Sequence, residues 1–451
     1  MKADEFSANC KPWLSTVGAF SEGTDSPLAF LDRCLRNIEE REDDVRAFAC
    51  LALDSARAAA AASTQRWREG TPLSILDGIP IGIKDIIETI DLPTGNGSPL
   101  FAGWRSGRDA ASVKALREAG AVILGKTVTT EFAATSPGET RNPWDLTRTP
   151  GGSSSGSAAG VAAGFFSAAL GSQVVGSILR PASYCGCYGY KPSVGAINRG
   201  GSFDYMSQSC TGVIAASLED CWQMAFEIVQ RAGGDPGFPG LVGPAQAPEP
   251  VLPSDLILLQ TAGWKLASPQ AKAALETALL QLTRAGVRIL SRASHAAVDC
   301  LESLILEAVP LTRSINTWES RWPLNTYRDR GAGGLSAPML QRLRQAEDMT
   351  PHQYRGWIGR RDEIRETYRE MSGLAAACIT LCAPDCAPVG IASTGDPIFA
   401  VPSSFLGVPA LSLPLLAATN LPLGLQLMGF NGQDASLFAI AAAVRDTLGA
   451  G

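Results

Sequence analysis

The stretch that decides the fold runs from residue 149 to residue 201 and reads TPGGSSSGSAAGVAAGFFSAALGSQVVGSILRPASYCGCYGYKPSVGAINRGG. Glycine and serine are too dense here for an ordinary helix. The alanine, valine and phenylalanine between them are too apolar for a solvated linker. Gly151, Gly152 and Gly156 permit tight turns and close backbone approach ahead of an alanine-rich helix. The part from Ser157 to Gly176 is long enough to imitate a membrane span, but its small residues, with Ser157, Ser167, Ser172 and Gln173, predict burial inside a large protein. No membrane association is expected.

Outward from this segment, hydrophobic periodicity alternates between strand and helix. IPIGIKDII at 79–87 is strand-like, and DAASVKALREAGAVILGKT at 109–127 predicts a helix ending at Gly120 that feeds an apolar strand at 121–124. Such helix-then-strand steps indicate an α/β protein. Residues 26–65 predict helices, with apolar residues recurring at three and four. Amphipathic helices are predicted around 218–233 and 262–288, separated by a Pro/Gly-rich surface loop. Residues 315–370 carry Trp318, Trp322, Trp357 and the charged run RRDEIRETYREM, which predicts a helical insert over the core. FAVPSSFLGVPALSLPLL and LPLGLQLMGF return to strand character before a closing helix at about 434–448.

Composition narrows the function. Lys plus Arg total 38 against 44 Asp plus Glu, a net charge of −6, so no overall positive field attracts a phosphate backbone and no direct nucleic-acid contact is expected. The first twenty residues lack the apolar run of an export signal, and the eleven cysteines are scattered, which suits a reducing compartment; a cytoplasmic protein is expected. Cys378, Cys382 and Cys386 recur every four residues and are read as buried small hydrophobes on a helix, not as a metal site. No metal or cofactor is expected. The two histidines, His295 and His352, sit in polar, helix-like surroundings, and GxSxG, HExxH and P-loop patterns are absent.

Hydrolysis without histidine is the remaining chemical hypothesis. Lys84 lies between Ile83 and Ile86-Ile87; burial would favour its neutral amine and make it a base, whereas a lysine snorkelling outward or paired with Asp85 is the bland alternative. Ser153, after Gly151-Gly152, lies in either a flexible surface loop or a packed turn, and the apolar helix that follows favours packing. Ser177, after Gly176, is flanked by Val174, Val175, Ile178 and Leu179, a setting in which consecutive backbone N–H groups can hold an oxyanion.

Together these segments resemble the amidase signature family of serine hydrolases. The resemblance rests on GIPIGIKD around Lys84, GAVILGKTVTTEF from Gly120, TRNPWDLTRTPGGSSSGSAAGVAAG, GSQVVGSILRPASYCGCYGYKPSVGAINRGG, VPSSFLGVPALSLPL and LPLGLQLMG. It implies a Ser–cisSer–Lys set, with Lys84 as base, Ser153 as the bridging serine whose flanking peptide bond is cis, and Ser177 as nucleophile. It also implies an oxyanion hole from the backbone at Val174, Val175, Gly176 and Ser177. Asp85, Ser154, Gln173 and Arg180 are supporting candidates, with a salt bridge to a carboxylate as the alternative for Arg180. Many members read T-D-x-G-G-S-I-R; here Gln173 replaces the aspartate, Val175 the first glycine, and Arg180 sits one place later.

The implied fold is one α/β/α domain over 1–451 around a mixed sheet of about eleven strands, with a helical excursion at 300–380 whose tryptophans and Tyr327 form a specificity wall. The expected function is hydrolysis of a small-molecule carboxamide through a Ser177 acyl-enzyme, with a small-molecule amide as partner, no direct nucleic acid, and a homo-oligomer as an open possibility. The alternatives are the glutaminase subunit of a tRNA-dependent amidotransferase, a hydrolase of an allophanate-like compound, and a catalytically silent binding homologue.

Overall fold

The computed structural model describes residues 9–134 and 136–449; the first eight residues of the stretch read for an export signal lie outside them. Its centre is a mixed sheet of eleven strands. These are β1 (Phe48–Leu51), β2 (Pro80–Lys84), β3 (Val122–Thr127), β4 (Ala168–Gln173), β5 (Tyr188–Lys191), β6 (Cys210–Ala215), β7 (Asp255–Leu258), β8 (Arg288–Leu290), β9 (Ala377–Leu381), β10 (Ala410–Ala418) and β11 (Leu421–Met428). The order is β1-β3-β2-β4-β6-β5-β10-β11-β9-β7-β8. β2 is parallel to both β3 and β4, β7 is parallel to β8 and β9, and the strands between these groups pair antiparallel.

Alternate side chains of each central strand feed opposite faces, as the two-residue pleat requires. Leu170, Val213, Leu411 and Leu427 join one core with residues of the helices Leu218–Ala232, Pro269–Arg284 and Asp434–Gly449. Their neighbours Ala169 and Ile214 pack with the helices Pro27–Val45, Leu53–Arg68 and Ser155–Ala162. Ala410 and Met428 meet Ala296–Ile305 and Pro351–Glu370. Helices thus cover both faces, which is why the central strands read as near-continuous apolar runs. The α/β/α architecture and the strand number agree with the expectation.

Several local readings change. The helical run expected over 26–65 is split by β1, which pairs antiparallel with β3. VPSSFL, read as strand, is the short helix Val401–Leu406, with Gly407 in the left-handed region as its cap. Cys378 lies in β9 and not on a helix, and Cys378 and Cys382 are buried. The span-like run divides into the helix Ser155–Ala162 and β4, all inside the core. Among the described residues no helix is long and apolar enough to cross a membrane.

Close packing explains the glycines of the decisive stretch. A Cβ on Gly156 would lie 2.1 Å from the Ala47 carbonyl oxygen and 2.5 Å from Val128 N, so the first turn of Ser155–Ala162 sits directly on neighbouring backbone. Gly151 has φ +82°, and a Cβ there would meet Pro181 Cα at 2.8 Å. The serine loop is therefore held between β3, β4 and the helix Leu179–Cys185.

Candidate active site

Parallel strands β2 and β4 end side by side, at Lys84 and Gln173. The crevice beyond the carboxyl ends of such strands is where open α/β sheets place ligands. Lys84 is fully buried, its Nζ 2.7 Å from Ser153 Oγ and 2.8 Å from Ser172 Oγ. Burial pushes its pKa down to about 7, opposed by the carboxylate of Asp204. A large share of the amine is therefore neutral near pH 7, and its lone pair can take a proton from a hydroxyl it already touches.

Lys84 does not pair with Asp85, contrary to the bland alternative for this lysine. Asp85 turns to Lys126, 3.2 Å away, and accepts from Gly95 N at 3.1 and 3.0 Å. It thereby ties the segment after β2 to β3.

The Gly152–Ser153 peptide bond is cis. Ser153 and Ser154 are buried, and Ser154 N donates to Ser177 O at 3.2 Å, which brings the two serine loops together. Ser154 Oγ donates to Ser172 O and accepts from Ser172 N, both at 3.3 Å. Arg180 forms no salt bridge among the described residues. Its Nη2 donates to Gly152 O at 2.7 Å and to Thr394 Oγ1 at 2.9 Å, and its Nη1 donates to Gly395 O at 3.0 Å, so it clasps the carbonyl just before Ser153 to the 394–395 segment.

The loop 174–177 is held by its carbonyls. Gln208 Nε2 donates to Val174 O at 3.1 Å, and Ser404 Oγ donates to Val175 O at 3.0 Å. The N–H groups of Val174, Val175, Gly176 and Ser177 have no protein acceptor among the described residues. Gln173 anchors the start of the following helix: its Oε1 accepts from Ile178 N at 2.9 Å and Leu179 N at 3.0 Å, while its Nε2 donates to Ser404 Oγ at 2.9 Å. An amide oxygen suffices there because both donors are neutral backbone groups. Such an array of free N–H groups can receive an oxyanion.

Beside the Lys84 segment lies a cavity of about 440 Å³ whose walls include Ile86, Phe101, Phe203, Tyr205, Trp322 and Tyr327. Tyr327 stacks on Phe132 with centroids 5.3 Å apart, and Phe132 lies two residues after Thr130, whose methyl faces Gly152. Trp322 and Tyr327 of the helical insert thus reach this cavity, whereas Trp318 stacks instead on Tyr354. Arg342, on the helix Ala337–Glu347, is partly buried beside Tyr205. Burial lowers its pKa, and no carboxylate pairs with it among the described residues.

Ser172, Asp204, Gln208, Ser404 and Arg342 were not singled out by sequence reasoning. Ser172 alone carried a signal: it lies two residues before Val174 on the strand leading to Ser177. The others come from distant segments and join the site only in three dimensions. His295 precedes the helix Ala296–Ile305 in extended backbone and His352 lies in the helix Pro351–Glu370, and no three His, Cys, Asp or Glu side chains group as a metal set among the described residues.

The family profile described as Amidase matches residues 29–438. One subunit of the glutamyl-tRNA(Gln) amidotransferase of Chloroflexus aggregans is 32% identical, over 94% of this chain and 93% of that protein. Among solved structures, an amidase superposes with a TM-score of 0.83 at 25% identity, covering 97% of this chain and 99% of the other. The corresponding glutamyl-tRNA(Gln) amidotransferase subunit from Thermotoga maritima does so with 0.71 at 26% identity, covering 93% and 91%. These relatives correct one expectation, that of a chain whose partner is a small-molecule amide with no direct nucleic acid. Relatives matched over nearly their full length are subunits of an enzyme named for a tRNA. A whole-chain charge of −6 averages over the surface and carries no information on the reaction of such an enzyme. By the match over most of its length and the likeness to these relatives, the chain belongs to the amidase family.

Proposed function

We propose that this chain is the glutaminase subunit of a tRNA-dependent amidotransferase, hydrolysing the side-chain amide of glutamine to release ammonia. The observation that carries the chemistry is the buried Lys84 amine, 2.7 Å from Ser153 Oγ with its pKa lowered to about 7. Two further observations support the substrate. The relatives are similar over more than nine-tenths of both chains, and the guanidinium of Arg342, next to Tyr205 of the cavity wall and without a carboxylate partner among the described residues, suits an amide that also carries a carboxylate.

In this reading Ser177 Oγ attacks the amide carbon as its proton passes through Ser153 to neutral Lys84. The N–H groups of residues 174–177 hold the developing oxyanion. As the C–N bond breaks, the proton on Lys84 returns through Ser153 to the leaving nitrogen, which departs as ammonia. Water, activated by the same relay, attacks the Ser177 ester and frees glutamate.

The reading is tested by measuring ammonia release from glutamine and from a panel of aromatic carboxamides, using the purified chain with and without co-expressed partner subunits and glutamyl-tRNA. It predicts glutamine turnover that rises when the partners and the charged tRNA are present. Rapid turnover of aromatic carboxamides with none of glutamine under any of these conditions would overturn it.

A further inference from the structure

The charged run RRDEIRETYREM plays no part in the chemistry above, yet it builds a second concave site. Arg361, Arg365 and Arg369 lie four residues apart on the helix Pro351–Glu370, so they share one face. That face borders a cavity of about 470 Å³, closed on its other sides by Ser207, Gly407 and Phe430.

Two of these guanidiniums are unusually enclosed. Arg361 is 6% exposed; its Nη1 donates to Ser207 Oγ at 2.9 Å, and its Nε has no hydrogen-bond partner. Arg365 donates from Nε to Phe405 O at 2.8 Å, while its Nη2 is buried without a partner. Burial, reinforced by the charge of Arg361, pushes the Arg365 pKa down to about 10. Like charges one turn apart repel, and removal from water strengthens the repulsion.

The neighbouring acids, Glu319 and Asp362, offset this excess only in part. Asp362 stands 3.5 Å from Arg361 Nε and 3.9 Å from Arg365 Nη1, beyond good hydrogen-bond length, and its side chain is 59% exposed. Glu366 is taken by Arg369. An acidic protein thus sets two guanidiniums, Arg361 buried and Arg365 partly buried, in the wall of a cavity, and planar guanidinium forks suit oxyanions. Phe238, 48% exposed at the rim, presents an apolar ring to whatever the oxyanion is attached to.

We propose that this cavity binds a phosphate monoester, its phosphoryl oxygens taken by Arg361 and Arg365 and its organic part lying toward Phe238. The site is separate from the serine loops but adjoins them, since Ser207 precedes Gln208, the residue that holds the Val174 carbonyl.

The test is calorimetric titration of the full-length chain with inorganic phosphate, phenyl phosphate and benzoate, each to about 20 mM, a range that detects even millimolar affinity. Alongside it, phenylglyoxal labelling of the wild-type protein is mapped by mass spectrometry, so that the readout does not depend on a variant folding. Expected are binding of both phosphates, with phenyl phosphate the tighter, protection of Arg365 from labelling by either, and at least about tenfold weaker binding in Arg365→Gln with partial recovery in Arg365→Lys. The proposal is overturned by failure of both phosphates to bind or to protect Arg365, by benzoate binding more tightly than phenyl phosphate, or by phosphate binding that Arg365→Gln leaves unchanged. None of these readouts uses amide turnover, so the result stands apart from the glutaminase reading.

Discussion

The serine loops and the helical insert are built in opposite ways. Between Gly151 and Lys191 nearly every residue is buried, the side chains are small, and polar groups are fastened by short bonds to backbone: Arg180 to Gly152 O, Gln173 to Ile178 N and Leu179 N, and Ser154 to both backbone groups of Ser172. From Ala296 to Glu370 the elements are helices with solvated faces, and the side chains they set in cavity walls are large: Trp322, Tyr327 and Arg361. The first region fixes reacting atoms by leaving them no room. The second lines two cavities with large side chains. In the proposed function, chemistry belongs to the packed core and selectivity to the helical cover.

This division can be broken most sharply at Lys84. Lys84→Ala should lower kcat/KM by about a thousandfold or more, since both proton relay and hydroxyl orientation are lost. A variant retaining a tenth of wild-type turnover would remove the lysine from the mechanism. In the same packed region Gly156→Ala should cost about 3 kcal/mol or more in stability, because its new methyl would meet the Ala47 carbonyl. Urea denaturation measures this, and an unchanged midpoint would mean the loop is looser than described.

Changes in the helical cover should act on substrate choice. Arg342→Gln should raise KM for glutamine about 10- to 100-fold, the worth of one charge-assisted hydrogen bond, while leaving kcat for a neutral carboxamide nearly unchanged. Equal losses on both substrates would contradict its assignment to the cover. The smallest effect is expected from Asp204→Asn. Lys84 must be neutral to act, so kcat/KM should rise with pH through about 7. Because the Asp204 carboxylate favours the ammonium form, its removal should lower the Lys84 pKa further and shift that limb to lower pH. A shift to higher pH would show that Asp204 acts otherwise.

The same division explains what was legible in the sequence. The glycine-serine stretch announced itself because close backbone approach demands glycine and a buried loop demands apolar flanks, and the α/β class followed from helix-then-strand steps such as 109–127. Short elements were hidden: β1 and the helix Val401–Leu406 are set by pairing with β3 and by packing under the loop 174–177, not by local periodicity. Asp204, Gln208 and Arg342 carry no motif and enter through tertiary proximity alone. Charge counting could not anticipate relatives named for a tRNA, because net charge averages over the whole surface.

The central claim is that Ser177 is the nucleophile and that neutral Lys84 activates it. Labelling with a fluorophosphonate probe across pH 5–9, with the modified residue identified by peptide mass mapping, tests both parts at once. The account predicts a single adduct on Ser177, forming at a rate that rises with a midpoint near pH 7 and collapses in Lys84→Ala. An adduct on another serine, or Ser177 labelling that is indifferent both to pH and to the loss of Lys84, would contradict it.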